Sequence, residues 1–589
     1  MTALSPGRPL LVLLVIALVI IMACFVPYHV SLGGLPDNNS LAVAAGFDQH
    51  SAFLGICALL AIASVIAALR PPVARLATIV QPIKGPGLDA SFYAVTLLTL
   101  AVLVALLVNG DDRFNEIHYF TDRQALMMMG KAPYRDFLFD YGPILAWAPY
   151  VMHAIVGHWM LAYLLTDGLF LGLTLLLLRD LVRSLPVPSS SHGLIFVSLA
   201  LFWVPMTYAS GLHYSGLRFV LPVVVAFRMA HLRSAGLPRL IGWPLFASLL
   251  AFAFSFETGL VMLVLGGGIL GFLALAERRA APLLALTIYV GIAAAALSTL
   301  PDWLTMPLAA NFAGREFPLV PNIFLVFFLA SLAIAILAGV PPLLRAAVTG
   351  RLTIDTADLG LCFVAMLSLM LLPAAIGRAD FIHIFSCGMG AVIVTACVAA
   401  NAPRPLVVLA YCSIVVELVV ATQILCLVPF ANELRHGNLA RMISGTPSAP
   451  ATKNADGLTV AHRHPGAYDP FLIAGPLHGI DTGYYTGFTD VTNDYATRRK
   501  LAELAAARLF LVPAGLRPEP TNAPEALVVA ERQVYAWLAI WPFPIAIDTK
   551  GRPSPISQVV EVALQDCLPI DTVGHIQVCA NRATAPARP

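Results

Sequence analysis

Apolar runs of roughly 15 to 20 residues recur along this chain almost to position 428, and nothing else in the sequence limits the fold so strongly. A helix rising 1.5 Å per residue needs about 20 residues to cross a hydrocarbon core of about 30 Å, so such runs read as membrane-spanning helices. Composition agrees: 59% of the 589 residues are hydrophobic and 12% are charged, where an ordinary soluble domain has about 25% charged. The formal net charge of +2 argues against a nucleic-acid partner, because a phosphate backbone is held by clustered Lys and Arg.

The expected spans lie near 11–30, 51–69, 91–109, 160–178, 191–207, 217–230, 241–256, 259–275, 281–298, 322–339, 357–375, 384–400 and 406–428. The first run is longer than the hydrophobic part of a signal peptide, about 7 to 15 residues, and reads as an uncleaved span. Residues 143–157 open with Gly-Pro and are short, so they read as a helix lying at the membrane interface. About thirteen spans put the two chain ends on opposite sides. With the N-terminus cytoplasmic, the inside loops carry Arg70, Arg75, Lys84, Arg179, Arg183, Arg228, Arg233, Arg239, Arg278, Arg279, Arg345, Arg351 and Arg404, as the positive-inside rule asks.

The expected organisation is therefore an added hairpin and cytoplasmic loop over 1–90 and a transmembrane core over 91–430 with a large outer loop over 110–159. A linker over 431–467 and a small C-terminal α/β domain over 468–589 on the outer face complete it. In that tail the spacing predicts a helix over 492–509, a strand at Phe510–Val512 stopped by Pro513, a helix around Ala526–Trp541 and helical character over Ile556–Leu568. Seven of the nine cysteines lie in or beside apolar runs; Cys567 and Cys579 stand apart in the polar tail, where an oxidising compartment would favour a disulfide and two buried thiols are the plainer alternative.

The chemistry concentrates in the loop after the third span. Asp111, Asp112, Arg113, Glu116, Asp122, Arg123, Lys131, Arg135, Asp136 and Asp140 crowd into a chain otherwise poor in charge. Asp111 and Asp112 follow the span directly, with Glu116 and His118 within two helical turns. Carboxylates there suit proton abstraction from a sugar hydroxyl, or a divalent ion such as Mg²⁺ or Mn²⁺ that holds a phosphate. An acidic cap on a membrane helix is the plainer alternative.

Glu116, then Ala125, Gly130 and Ala132-Pro133-Tyr134-Arg135-Asp136-Phe137, closing on Tyr141-Gly142-Pro143, resembles the first outer loop of the GT-C superfamily. These are integral-membrane glycosyltransferases that use a sugar linked to a polyprenyl phosphate. Their loop reads Asp-Glu, a helix, then Gly-x-x-Pro-Tyr-x-Asp-Phe. The resemblance implies that the catalytic base is Glu116, or failing it Asp112 or Asp111. This chain departs from the pattern in flanking Glu116 with Asn115 and Ile117, and in placing two extra spans before the loop.

Further residues at outer span ends fit the same implication: Arg218 in SGLRFVLP, Glu257 in FSFETG, and Arg378, Asp380 and His383 in GRADFIHIF, with His118 and Tyr134 as further substrate-binding candidates. An Arg fork can hold a lipid phosphate, and His383 can assist or bind the sugar. Alternatively, Arg378 and Asp380 pair to lock helix ends. In the tail, Tyr468, Asp469, His478, Asp481, Tyr484, Tyr485 and Asp490 offer rings and carboxylates to a sugar, or simply form a domain surface. Trp537 and Trp541, four apart, would share one face of the expected helix and could mark where the domain meets the membrane interface.

The expected function is transfer of a monosaccharide from a polyprenyl-phosphate donor to a glycan, lipid or protein acceptor at the periplasmic face of a bacterial inner membrane. A lipid-linked glycan polymerase or ligase would gather the same outer Arg and His. A transporter or flippase would want polar residues at mid-membrane depth, and the spans are poor in them. No phosphate-cradling glycine loop appears; Gly266, Gly267 and Gly268 lie inside an apolar run.

Overall fold

The computed structural model describes residues 8–30, 48–69, 86–109, 120, 123–124, 127–128, 130–135, 139, 141–157, 159–209, 212–299, 323–376, 381–401, 459–460, 463–464, 467, 494–514, 555–574 and 576–584. Leu-, Ala- and Val-rich stretches form the bundle helices α1 (Arg8–Cys24), α2 (Gln49–Leu69), α3 (Leu88–Asn109), α4 (Pro143–Val156), α5 (Trp159–Ser184) and α6 (Ser189–Ala209). They continue as α7 (Gly216–Arg228), α8 (Leu237–Phe254), α9 (Phe256–Glu277), α10 (Ala280–Ser298), α11 (Ile323–Thr349), α12 (Thr356–Met370), the short α13 (Leu372–Ile376) and α14 (Phe381–Ala400).

Among the described residues, eight helical segments are long and apolar enough to cross a membrane, as in a multi-pass membrane protein. Shorter apolar helices occupy the expected spans near 11, 91, 191 and 357. The expected span over 406–428 lies outside the described residues. Many large apolar side chains face outward, among them Leu97, Leu249, Leu275 and Val348. A water-soluble surface would not carry so many; hydrocarbon accepts them at no cost.

The centre of the bundle is α7. All its residues except Leu221 and Arg228 are buried, and it packs against α5, α12 and α14. It approaches α5 and α6 closely because Gly216 has no side chain. A Cβ there would come within 2.6 Å of Thr174 and 2.9 Å of the Trp203 ring.

The bundle has two chemically different ends. At one, arginines are neutralised: Arg179 by Asp89, Arg228 by Asp180, and Arg233 and Arg279 by Glu277. Arg345 there donates to the carbonyls of Ala67 and Ala68, which end α2. The other end carries the segment 120–142 and the connection between α8 and α9. That connection is a single residue, Ser255, whose hydroxyl accepts from the Thr258 amide and caps α9.

α4 packs on α5 and α8 while Trp147, Val151 and Ile155 stay exposed. This one-sided apolar face fits the expected interfacial helix.

In the tail, α15 (Asp494–Ala506) and α16 (Pro555–Asp566) pack together beside a three-stranded antiparallel sheet. Its strands β1 (Leu509–Pro513), β2 (Cys567–Val573) and β3 (Ile576–Asn581) run in the order β1-β3-β2. Leu504, Phe510, Val512, Val559, Ala563 and Cys579 form one core, and Val460, Leu511, Ile576 and Val578 a second. The packed unit thus takes in Val460, which lies inside the segment read as a linker. Cys567 and Cys579 are joined in a disulfide. Helical character ends at Asp566; Cys567 and Leu568 belong to β2.

Candidate functional site

The described residues between 120 and 142 join an aromatic cluster distinct from the main core. Phe120, Met127, Tyr134, Phe139, Tyr163, Phe170, Leu212, Leu217, Phe254 and Phe256 are among its members. Two backbone features fix the seat. Gly142 donates its amide to the Phe254 carbonyl at 3.0 Å, a contact so close that a Cβ on Gly142 would meet the Ala253 backbone at 2.4 Å. Tyr134 sits at φ 69°, a left-handed conformation that costs a non-glycine residue about 1 to 3 kcal/mol. Its hydroxyl donates to the Tyr141 carbonyl at 2.7 Å, and its ring meets Phe139 and Phe256 edge-on. The Pro-Tyr-Arg motif is therefore a built corner, and Tyr134 is a positioning residue of that corner.

Beneath it, a 3-10 turn at Leu212–Tyr214 leads into α7. The Leu212 amide donates to the Tyr163 hydroxyl at 2.6 Å. The His213 ring stacks on Tyr141 with centroids 4.7 Å apart and on Phe120 at 5.7 Å. Tyr214 Oη and His383 Nε2 share a hydrogen bond of 2.9 Å, tying this turn to the start of α14.

Arg218, in the first turn of α7, is 8% exposed. Its guanidinium lies over the Tyr141 ring at 5.0 Å and the Phe219 ring at 4.9 Å. One Nη donates to the His213 carbonyl at 2.7 Å and the other to Ser255 Oγ at 3.3 Å. Its Nε has no partner, and no carboxylate pairs with it among the described residues. Burying a cation without a counter-charge costs several kcal/mol even after relaxation. Rings and neutral acceptors offset only part of that, so the place favours an anion.

Of the expected site residues, Arg218, His383, Glu257 and Tyr134 come to this one end of the bundle. Glu257 lies in the first turn of α9, two residues after Ser255, and is partly exposed. Asp111, Asp112, Glu116, His118, Arg378 and Asp380 lie outside the described residues, as do the tail candidates from Tyr468 to Asp490 and Trp537 and Trp541. No metal-holding group of His, Cys, Asp or Glu occurs among the described residues; the carboxylates expected to hold Mg²⁺ or Mn²⁺ are not among them.

Four further residues belong here that the expected set does not contain. Tyr163 and the pair His213-Tyr214 contribute through tertiary contacts, and the only local signal for the pair is a polar ring doublet in GLHYSG between two spans. The fourth is Asp167, 2% exposed on α5; its signal is a lone acid in the apolar run YLLTDGLFLGL. Compared with protein-family models, curated proteins and solved structures, the chain matches none.

Proposed function

We propose that this protein is a membrane glycosyltransferase of the GT-C kind. In this reading it moves a monosaccharide from a polyprenyl-phosphate donor to a glycan, lipid or protein acceptor at the outer face of a bacterial inner membrane. The observation that carries the reading is Arg218, a buried guanidinium that no carboxylate pairs with among the described residues, held at the end of the bundle where the corner of Tyr134 and Gly142 is seated. The neutralised arginines at the other end support the orientation: that end is the cytoplasmic one, and the Arg218 end faces outward. The Cys567–Cys579 disulfide suits a tail in an oxidising compartment.

The reaction is a single displacement. Glu116, or Asp112 or Asp111, takes the proton of an acceptor hydroxyl as its oxygen attacks the anomeric carbon. The bond from that carbon to the phosphate oxygen breaks, and the polyprenyl phosphate leaves with the electron pair. Charge grows on the phosphate, and Arg218 meets it with a fork already fixed by His213 and Ser255, so little reorganisation is needed. His383, hydrogen-bonded to Tyr214, is the second group assigned to the phosphate in this reading. One displacement inverts the anomeric centre.

The test is transfer of labelled sugar from a panel of polyprenyl-phosphate donors by the purified full chain, with Glu116→Gln, Asp112→Asn, Asp111→Asn and Arg218→Met beside the parent. Loss of transfer in Arg218→Met and in one acid variant, with folding intact, supports the reading. No consumption of any donor sinks it and brings forward the ligase and carrier alternatives.

A further inference from the structure

Two acids lie on α5. Asp180 pairs with Arg228. Asp167 makes no hydrogen bond or ion pair among the described residues, although it is 2% exposed. It lies eight residues into the helix, about 12 Å from the start at 1.5 Å per residue, in the half nearer the candidate site.

The helix face that carries it is defined by its neighbours at spacings of four, three and four: Tyr163, Asp167, Phe170 and Thr174. Tyr163 bonds the Leu212 amide, Phe170 packs its ring on Phe254, and Thr174 lies against Gly216. Asp167 therefore faces the region bounded by the 212–216 turn and the end of α8. Those are the elements that fix Arg218.

Other polar atoms around the same aromatic cluster are buried without a hydrogen-bond partner among the described residues: Ser215 Oγ, Arg218 Nε, and both the Oε1 and Nε2 of Gln124. Gln124 follows Phe120 by four residues and precedes Met127 by three, and both of those are in the cluster. Interiors leave few polar groups unpaired, and each asks for an explanation. Several around one cluster ask for a shared one.

We propose that these groups line a chamber for the sugar of the donor, with the Asp167 carboxyl at its floor bonding ring hydroxyls. The assignment rests on the transferase reading. It is favoured because the set mixes acceptors (Asp167, Gln124 Oε1), donors (Arg218 Nε, Gln124 Nε2) and a hydroxyl that does both (Ser215). Hydroxyls match that mixture. A transported cation would want oxygens alone.

The test uses the full chain in nanodiscs with three probes: undecaprenyl-phosphate glucose, undecaprenyl-phosphate mannose and undecaprenyl phosphate. Binding and thermal unfolding are measured for the parent, Asp167→Leu and Asp167→Asn. The expected parent binds at least one sugar-bearing lipid more tightly than the bare lipid phosphate. Asp167→Leu should bind that lipid at least tenfold more weakly, bind undecaprenyl phosphate within twofold of the parent, and unfold no earlier. If Asp167→Leu does not fold, Asp167→Asn decides by the same readings. A parent that binds no lipid overturns the transferase reading and this assignment together. A parent that prefers a sugar-bearing lipid, with variants that match it, overturns the assignment alone. So does a parent indifferent to the sugar, or a variant that loses both lipid classes and unfolds earlier, since Asp167 would then serve the fold.

Discussion

Arg218 is held without being neutralised, and that distinction separates it from Arg179, Arg228, Arg233 and Arg279. Arg228, on the same helix, meets a carboxylate; Arg218 meets two rings, a carbonyl and a hydroxyl. Replacing a buried unpaired charge by an apolar side chain of similar volume is often neutral or stabilising. Arg218→Met should therefore unfold no earlier than the parent in a thermal scan while losing donor consumption by about 10- to 100-fold, the worth of one or two charge-assisted hydrogen bonds. Arg218→Lys keeps the charge but not the planar fork, and should recover only part of that rate. An Arg218→Met protein that turns over donor at the parental rate would remove Arg218 from the mechanism. Tyr214→Phe should act more gently. It deletes the hydroxyl shared with His383, and should lower turnover with a loss of stability of about 1 kcal/mol.

At the scale of the element, the built feature of this end is the corner formed by the described residues between 130 and 142. One of the two features that fix it is the Gly142 amide, lying against the end of α8. Gly142→Ala cannot be absorbed by a side-chain rotation, because the obstacle is backbone. The corner should lift, with destabilisation of about 1 to 3 kcal/mol. Protease cutting within 120–142 should then be faster than in the parent; unchanged cutting would show that the seat is not tight. The motif Ala132-Pro133-Tyr134 was legible as a feature of the loop, and Arg218, Glu257 and His383 were legible as ionisable groups at span ends. The turn at Leu212–Tyr214 was not. Between two apolar runs, GLHYSG has no periodicity, and what gives the His213 ring its place is stacking on Phe120 and Tyr141, some 70 to 90 positions earlier in the chain. Asp167 was visible but unweighted: only burial tells an unpaired acid from one that reaches the interface. In the tail, β2 and β3 were hidden because Leu568-Pro569-Ile570 interrupts strict alternation and the register shifts between Pro569 and Asp571.

At the scale of the whole molecule, periodicity carried most of the architecture, since each long apolar run has one economical solution in hydrocarbon. The tail follows different rules and can be probed separately. Asp571 accepts a hydrogen bond from His464, and that bond, with the Thr572 amide and the nearby Arg463, holds its carboxyl below the usual carboxylate range. A depressed folded value means that the stabilisation is present above the ordinary range and is lost as pH falls through the folded value. Protease resistance of the tail should therefore drop on acidification below the ordinary carboxylate range, and less so in Asp571→Asn; identical acid profiles would exclude this pair as the cause. Reducing the Cys567–Cys579 bond, which closes a sequence separation of 12, should cost the same unit about 2 to 4 kcal/mol, read as faster proteolysis with reductant.

The placement of α7 has an electrical consequence. Its peptide dipoles run the length of the helix and sum to roughly half a positive charge at the first turn, where Gly216, Leu217 and Arg218 lie. The helix is almost wholly buried, so little water is present to damp that field. A negative group brought to Arg218 would meet the guanidinium and the positive end of the helix dipole together. Removing the side chain would then weaken the attraction for phosphate without abolishing it, leaving a salt-sensitive remainder that belongs to the backbone alone.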